Sequence, residues 1–369
     1  MAGPPMMRAI LSAATAISLL VIAPAISQPA AARERAVVTP ASAEAERAGQ
    51  AITIRWQGLG GRVRVWQLPA PDAPRSAGRL LATLAGGQGV VVPSAASPRP
   101  WFLLQDERGR QLRVAERVLP LAGGMNFRDL GGYAGAGGKP VRWGVLYRSA
   151  VMAGLTLEDH QYLAKLGIRT VCDFRSTGER QREPVAWPSP GTPKVLARDY
   201  ELDMAPLMAA FRGGDVTPQQ ARTAMAGFYR ALPYQFAGDY RAMFGELLAG
   251  RVPLAFNCSA GKDRTGMAAV LILLALGVDR ETAIADYLLS NRHYRPQPPK
   301  PGAPVDASMA MFARLPAGVA QALMGVERAY IEASLAEIEA RGGLDRYFSE
   351  QLGLDRAQRN RLQSLYLAG

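Results

Sequence analysis

The apolar pattern of this chain changes period near Pro120, and that change bounds what the chain can fold into. Before it, short runs alternate apolar and polar residues. Ile52–Trp56 and Arg62–Trp66 flank the turn Leu59-Gly60-Gly61, and further runs follow at Arg79–Leu84, Val90–Val92, Trp101–Gln105 and Gln111–Val114. Gly86-Gly87, Pro98-Arg99-Pro100 and Arg108-Gly109 punctuate them. A period of two puts alternate side chains on one face, so each run reads as a half-buried strand. Together they predict a small antiparallel β-sandwich over residues 51–120. Beyond Pro120, strands alternate with stretches of helical period. Leu157–Leu166 precedes the strand Ile168–Asp173, and Asp239–Leu248, with Tyr240, Phe244 and Leu247 along one side, precedes Val252–Phe256. Gly167 and Gly250 end the two helices. This alternation predicts an α/β domain over residues 121–369, a mostly parallel sheet flanked by helices.

With 369 residues the chain is long enough for both units, and 49% hydrophobic with 20% charged residues excludes a disordered polymer or a multi-span membrane protein. The N-terminus carries one cation, Arg8, then the uncharged run Ala9–Ala23 and the small residues Ala25-Ile26-Ser27 and Ala30-Ala31-Ala32. Such a run is short for a membrane span and predicts a cleaved signal peptide over 1–32, followed by a linker over 33–50. The expected product is periplasmic or secreted, with no stable membrane insertion after cleavage. Net charge is +12, and five of the 43 basic residues are lysine. Arginine forks suit anionic partners, but no basic run or nucleic-acid-binding signature accompanies them, which argues against nucleic acid. Two cysteines and two histidines cannot furnish a four-ligand zinc site at any recognisable spacing, so no metal and no other cofactor is expected.

The most informative segment is Phe256-Asn257-Cys258-Ser259-Ala260-Gly261-Lys262-Asp263-Arg264-Thr265-Gly266, which leaves a short strand and enters the almost wholly apolar run Met267–Leu276. Backbone N–H groups in such a loop converge at the helix N-terminus as an anion nest. The small side chains of Ser259, Ala260 and Gly261 let a phosphate reach the main chain. The same field favours a thiolate at Cys258, whose ordinary pKa of about 8.5 would leave it protonated at neutral pH. Arg264, six residues on, can close as a fork over two equatorial phosphate oxygens. Ser259, Ala260, Gly261, Lys262, Asp263 and Arg264 are therefore the expected phosphate-binding set.

This Cys-x-x-Gly-Lys-Asp-Arg-Thr-Gly loop resembles that of the atypical bacterial tyrosine phosphatases, cysteine-dependent enzymes that also accept phosphoinositides. Asn126–Gly132 looks like that family's opening motif, Leu146–Ser149 its following strand and Thr170–Ser176 its Asp-Leu-Arg-Ser segment. Asp286–Asn291 resembles its helix after the loop, and Tyr330–Leu354 its C-terminal helical region. The resemblance runs from about residue 121 to the end. The β-rich module, similar to fibronectin-type domains, lies outside it. The resemblance implies a phosphomonoester hydrolase acting through a cysteinyl-phosphate on phosphotyrosine protein, with phosphoserine, phosphothreonine and phosphoinositide as further substrate classes. Cys258 would attack phosphorus while the loop amides and Arg264 hold the charge. Asp263 is the first choice for general acid and Asp173 the second, and either could instead be structural. Thr265 would bond the sulfur, position the attacking water or cap the helix. The rival reading is a catalytically degenerate module that binds phosphoprotein or phospholipid. Where the family has His before the nucleophile, this chain has Asn257, which can bond loop carbonyls but carries no charge and predicts a less acidic Cys258 than in the His-bearing relatives.

Other residues leave two readings each. Lys262 reads as a flexible cation at the pocket mouth or a solvated surface lysine. Arg128 and Asp129 would order the entrance or pair with each other. Cys172 is a buried core thiol or a resolving partner for Cys258. His160 and His293 read as surface or capping residues, and Met309, Met311 and Phe312 as packing filler or a lid. An arsenate reductase needs relay cysteines beyond Cys172, and a sulfurtransferase has little use for Asp263-Arg264-Thr265, which sets both classes aside. The β-rich module carries no catalytic constellation, and the sequence specifies no partner for it.

Overall fold

The computed structural model describes residues 42–85, 89–93, 99–189, 191–203, 216–295 and 315–368. The expected signal peptide, the linker up to residue 41 and the Met309–Phe312 segment lie outside these residues. Among the described residues the N-terminal module holds seven strands, one more than its pattern predicts: β1 (Ser42–Ala48), β2 (Ala51–Gln57), β3 (Arg62–Leu68), β4 (Arg79–Ala85), β5 (Gly89–Pro93), β6 (Trp101–Gln105) and β7 (Gln111–Ala115). They form two antiparallel sheets, β1-β2-β5 and β4-β3-β6-β7, around Ile52, Ile54, Val63, Val65, Phe102 and Leu104. The extra strand corrects the expected linker from Ser42 onward. Ser42–Ala48 pairs with Ala51–Gln57 from Ser42↔Gln57 to Ala48↔Ala51, through a turn with Gly49 at φ +58°. Only Ala45 of that strand is buried, so no alternating apolar face marks it in the sequence.

The rest of the chain builds a five-stranded sheet from β8 (Arg128–Asp129), β9 (Leu146–Ser149), β10 (Thr170–Asp173), β11 (Lys194–Ala197) and β12 (Leu254–Asn257), in the order β11-β10-β12-β9-β8. The first four of that order are parallel, and β8 is an antiparallel edge. Register aligns Asp173, Asn257 and Ser149 across three neighbouring strands. Their carboxyl ends thus share one level, where ligands of open α/β sheets sit. The principal helices are α1 (Leu157–Lys165), α2 (Thr177–Arg182), α3 (Pro218–Gln235), α4 (Ala237–Leu248), α5 (Arg264–Ala275), α6 (Arg280–Leu288), α7 (Ala317–Met324), α8 (Arg328–Ala340) and α9 (Arg356–Tyr366). Capping boxes start α1 at Thr156 with Asp159 and α2 at Ser176 with Glu179. In α5 every residue except Leu274 is buried, as its apolar run requires. It packs on β9 and β12 and fixes the loop before it. Ile331, Leu335 and Ile338 form the buried face of α8, which packs on α3.

The module and the α/β part share one seam. Trp143 joins the module's apolar core and donates from Nε1 to the Arg113 carbonyl at 3.0 Å. Arg99, fully buried, pairs with the equally buried Asp129, donates to the Glu116 carbonyl and lies 4.4 Å from the Trp101 ring centroid. Among the described residues no helix is long and apolar enough to cross a membrane.

Candidate active site

β12 ends at Asn257 and α5 begins at Arg264, and the loop between them is held from outside by its carbonyls. Gly261 takes φ +65°, and a Cβ there would lie 2.4 Å from the Ala150 nitrogen and the Ser149 carbonyl oxygen, so only glycine fits. The Gly261 carbonyl accepts from Asn126 Nδ2 and Arg148 Nη2, each at 2.9 Å. Arg148 is itself tied to Asp286 at 2.7 Å and to Ser290 Oγ at 3.2 Å. Burial alone would raise the Asp286 carboxyl, but the charges of Arg128 and Arg148 outweigh it and hold it at about 2. The Ser259 carbonyl accepts from Val151 N–H at 3.0 Å, and the Arg264 carbonyl from the Tyr240 hydroxyl at 3.0 Å. With these carbonyls engaged, the backbone N–H groups of Ser259 through Arg264 find no acceptor among the described residues. A row of unpaired donors beside a helix start is a receptor for an anion.

Cys258 lies at the head of this row and is 1% exposed. Arg264 is anchored from the side. Its Nη1 donates to the Phe174 carbonyl at 3.0 Å, to Glu179 Oε2 at 2.7 Å and to the Tyr200 hydroxyl at 2.8 Å, and its Nη2 donates to Glu179 Oε1 at 2.7 Å. The Tyr200 hydroxyl donates in turn to the Phe174 carbonyl at 2.6 Å. Nε–H and the second Nη2 hydrogen share the remaining edge of the guanidinium and take no acceptor among the described residues. Burial would lower the Arg264 pKa, but the Glu179 hydrogen bonds, then the charge of Cys258, lift it well above the ordinary value. Burial would likewise raise Glu179, yet Arg264, Ser176 N–H and the Ser259 hydroxyl bring it down to about 2.

Asp263 occupies the position before α5. Its Oδ1 accepts the Tyr229 hydroxyl at 2.6 Å and Lys262 Nζ at 2.8 Å, whereas Oδ2 receives no donor from the described residues. Thr265 Oγ1 is buried without a partner, and it neither bonds the sulfur nor caps the helix.

The sequence pattern of the tyrosine phosphatase family matches residues 119–368. A Cupriavidus necator protein bearing the name of a tyrosine-protein phosphatase is 36% identical over 257 residues, covering 66% of this chain and 86% of that protein. The triple specificity protein phosphatase PtpB of Mycobacterium tuberculosis is 35% identical over 200 residues, covering 48% of this chain and 70% of PtpB. Among solved structures, P. aeruginosa TpbA in complex with phosphotyrosine aligns with a TM-score of 0.22 and 18% identity, over 46% of this chain and 87% of that chain. The chain belongs to the tyrosine phosphatase family and is a phosphatase enzyme.

In this phosphatase the other expected site residues are placed as follows. Asp173 accepts from Arg175 through its backbone N–H, Nε and Nη2, and from Asn257 Nδ2 at 3.1 Å, so both of its oxygens are occupied. Asn257 thus bonds a neighbouring strand, not the loop carbonyls as expected, because its side chain faces β10 at the level of Asp173. Lys262 is not a solvated surface lysine: it is 5% exposed and bridges Asp263 and the Leu323 carbonyl. Arg128 and Asp129 are both buried but turn to separate partners, Asp286 and Arg99. Cys172 is a free thiol, and burial pushes its pKa up to about 12. His160 packs edge-on against Trp187 at 5.5 Å, and the His293 carbonyl accepts Asn126 N–H at 3.1 Å. Burial and then Arg128 lower the His293 pKa to about 4. Glu179, Tyr200 and Tyr229 were not legible as site residues. Ser176-x-x-Glu179 carries a capping signal, and the carboxylate serves that role and Arg264 at once.

Proposed function

We propose that this enzyme hydrolyses phosphotyrosine in proteins through a cysteinyl-phosphate at Cys258. In the first step the Cys258 thiolate forms the S–P bond as the P–O bond to the phenol breaks, and Asp263 gives its proton to the leaving oxygen. In the second, water forms a new P–O bond as S–P breaks, and Asp263 takes the water's proton back. The loop amides and the open edge of Arg264 hold the three equatorial oxygens, whose charge is largest in the transition state. Thr265 Oγ1, buried and unpartnered, is available to the sulfur when it leaves as thiolate. The observation that carries this reading is the row of unpaired N–H groups from Ser259 to Arg264 next to a guanidinium fixed by Glu179. The naming of one relative as a triple specificity phosphatase supports phosphoserine and phosphothreonine as further substrates. The N-terminal pattern supports a periplasmic or secreted enzyme.

The test is turnover of 4-nitrophenyl phosphate without added metal. It should be blocked by vanadate and absent in Cys258→Ser, with trapped phosphate on sulfur in rapid-quench samples of the native enzyme. Turnover that survives Cys258→Ser would end the reading. A panel of phosphotyrosine, phosphoserine and phosphothreonine peptides and phosphoinositides then ranks the substrates.

A further inference from the structure

Asp263 does not stand alone at the edge of the loop. The Tyr229 hydroxyl, from the middle of α3, reaches its Oδ1 at 2.6 Å, and the Tyr287 hydroxyl, from α6, reaches the Tyr229 oxygen at 2.9 Å. Both tyrosines are fully buried. Tyr229 is further fixed by ring contacts with Tyr287 and Tyr330, at 6.1 and 5.5 Å, and by Ser334 Oγ on its carbonyl at 2.6 Å. Proton placement in this chain is determined. Tyr287 donates to Tyr229, so the single proton of Tyr229 has only Asp263 to go to. Lys262 Nζ donates to the same carboxylate oxygen. Oδ1 is therefore occupied by two donors, and any proton that Asp263 carries resides on Oδ2.

We propose that Tyr229 is the positioning residue of proton transfer: its hydroxyl pins Asp263 Oδ1 and leaves Oδ2 as the one oxygen that delivers and recovers the proton. This rests on the reading of Asp263 as general acid. Burial, and next the charge of Asp263, keep the Tyr229 pKa well above its ordinary value, so the phenol remains a donor throughout the working pH range. A donor on Oδ1 favours the ionised carboxylate over the neutral acid. Its removal therefore raises the pKa of the acid and frees the carboxyl to rotate.

The test is Tyr229→Phe, which keeps the ring and its packing. The alkaline limb of kcat/KM should move up by about one pH unit, the size of a lost hydrogen bond to a charged group. Below that limb, where Asp263 carries its proton in both enzymes, kcat/KM should fall ~10-fold for phenyl phosphate and little for 4-nitrophenyl phosphate, whose leaving group needs no proton. Vanadate affinity should be unchanged, because the cradle is untouched. Tyr287→Phe, which leaves Tyr229 in place, should give a smaller shift in the same direction and serves if Tyr229→Phe folds poorly. An unmoved limb with equal losses on both substrates, in whichever variant folds, overturns the proposal. Asp263→Asn in the same assays separates the two claims: if it too lacks leaving-group dependence, the assignment of Asp263 fails. If it shows that dependence and Tyr229→Phe does not, only the role of Tyr229 fails.

Discussion

Asp173 ends a strand beside the loop, and Asp263 stands just before the helix that follows it. Both are carboxylates in the neighbourhood of Cys258, yet their surroundings prepare them for different work. Asp173 is enclosed by Arg175 and Asn257, with hydrogen bonds on both oxygens. Asp263 is gripped on Oδ1 only. Proximity to a nucleophile is common to both; only Asp263 keeps an oxygen without a partner among the described residues, as the proposed proton transfer requires. The carboxylate on the sheet side is thus tied into the frame of the site, and the one on the helix side keeps a free oxygen.

The largest effect should come from Asp263→Asn. We expect kcat/KM for phenyl phosphate to fall ~10³-fold, with a much smaller loss for 4-nitrophenyl phosphate, as for removal of a general acid. If Asp173→Asn reproduced that leaving-group pattern, the contrast between the two acids would be broken. Next comes Glu179→Gln, which loosens the guanidinium without touching the sulfur. Activity should fall about 100-fold, with vanadate affinity falling in parallel, since charge-assisted pairs at this site are lost. Glu179 also sets a pH window. Its carboxyl is held near 2 in the fold, against about 4.3 when unfolded. The stability it contributes is complete above the unfolded value and is lost as pH falls through the folded one. In urea unfolding, the gap between native enzyme and Glu179→Gln should therefore narrow from pH 5 towards pH 2, and a gap that stays constant would contradict the pairing.

Asp173→Asn should act mainly on the fold. Arg175 would be left buried with no charge opposite, at a cost of about 3 kcal/mol measured by denaturant unfolding, while the leaving-group dependence of the folded fraction stays native. The smallest effect is expected at Asn257. Asn257→His would add a ring able to carry charge between Asp173 and the loop, and should move the pH profile of iodoacetate inactivation of Cys258 downward by less than about one unit. An unchanged profile would show that the uncharged side chain at 257 costs the sulfur nothing.

The elements carrying the loop were readable because their signals are local. A short apolar strand, a small-residue turn and an apolar helix announce β12, the loop and α5, and the period-two runs announce β2 to β7. β1 escaped because its pairing with β2, not its own composition, makes it a strand. The clamp on Arg264 escaped for a related reason. Glu179 stands 85 residues away in sequence and reaches it only because β10 and β12 are neighbours in the sheet. Tyr229 sits among Met225 and Leu232 on a helix face that reads as plain core, and nothing in that pattern marks one hydroxyl as pointing at the loop. Lys262 was misread because its neighbours suggest an exposed turn, whereas the carbonyl of Leu323 from α7 closes over it.

The guanidinium of Arg99 gives the β-rich module a meaning that its missing constellation does not suggest. It is the internal counter-ion of Asp129, within the opening motif of the enzymatic half, and Trp143 returns the favour by filling the module's own interior. The two halves are thus mutual inserts. A truncation that began at residue 121 would strip a carboxylate of its neutralising partner and leave an indole facing water.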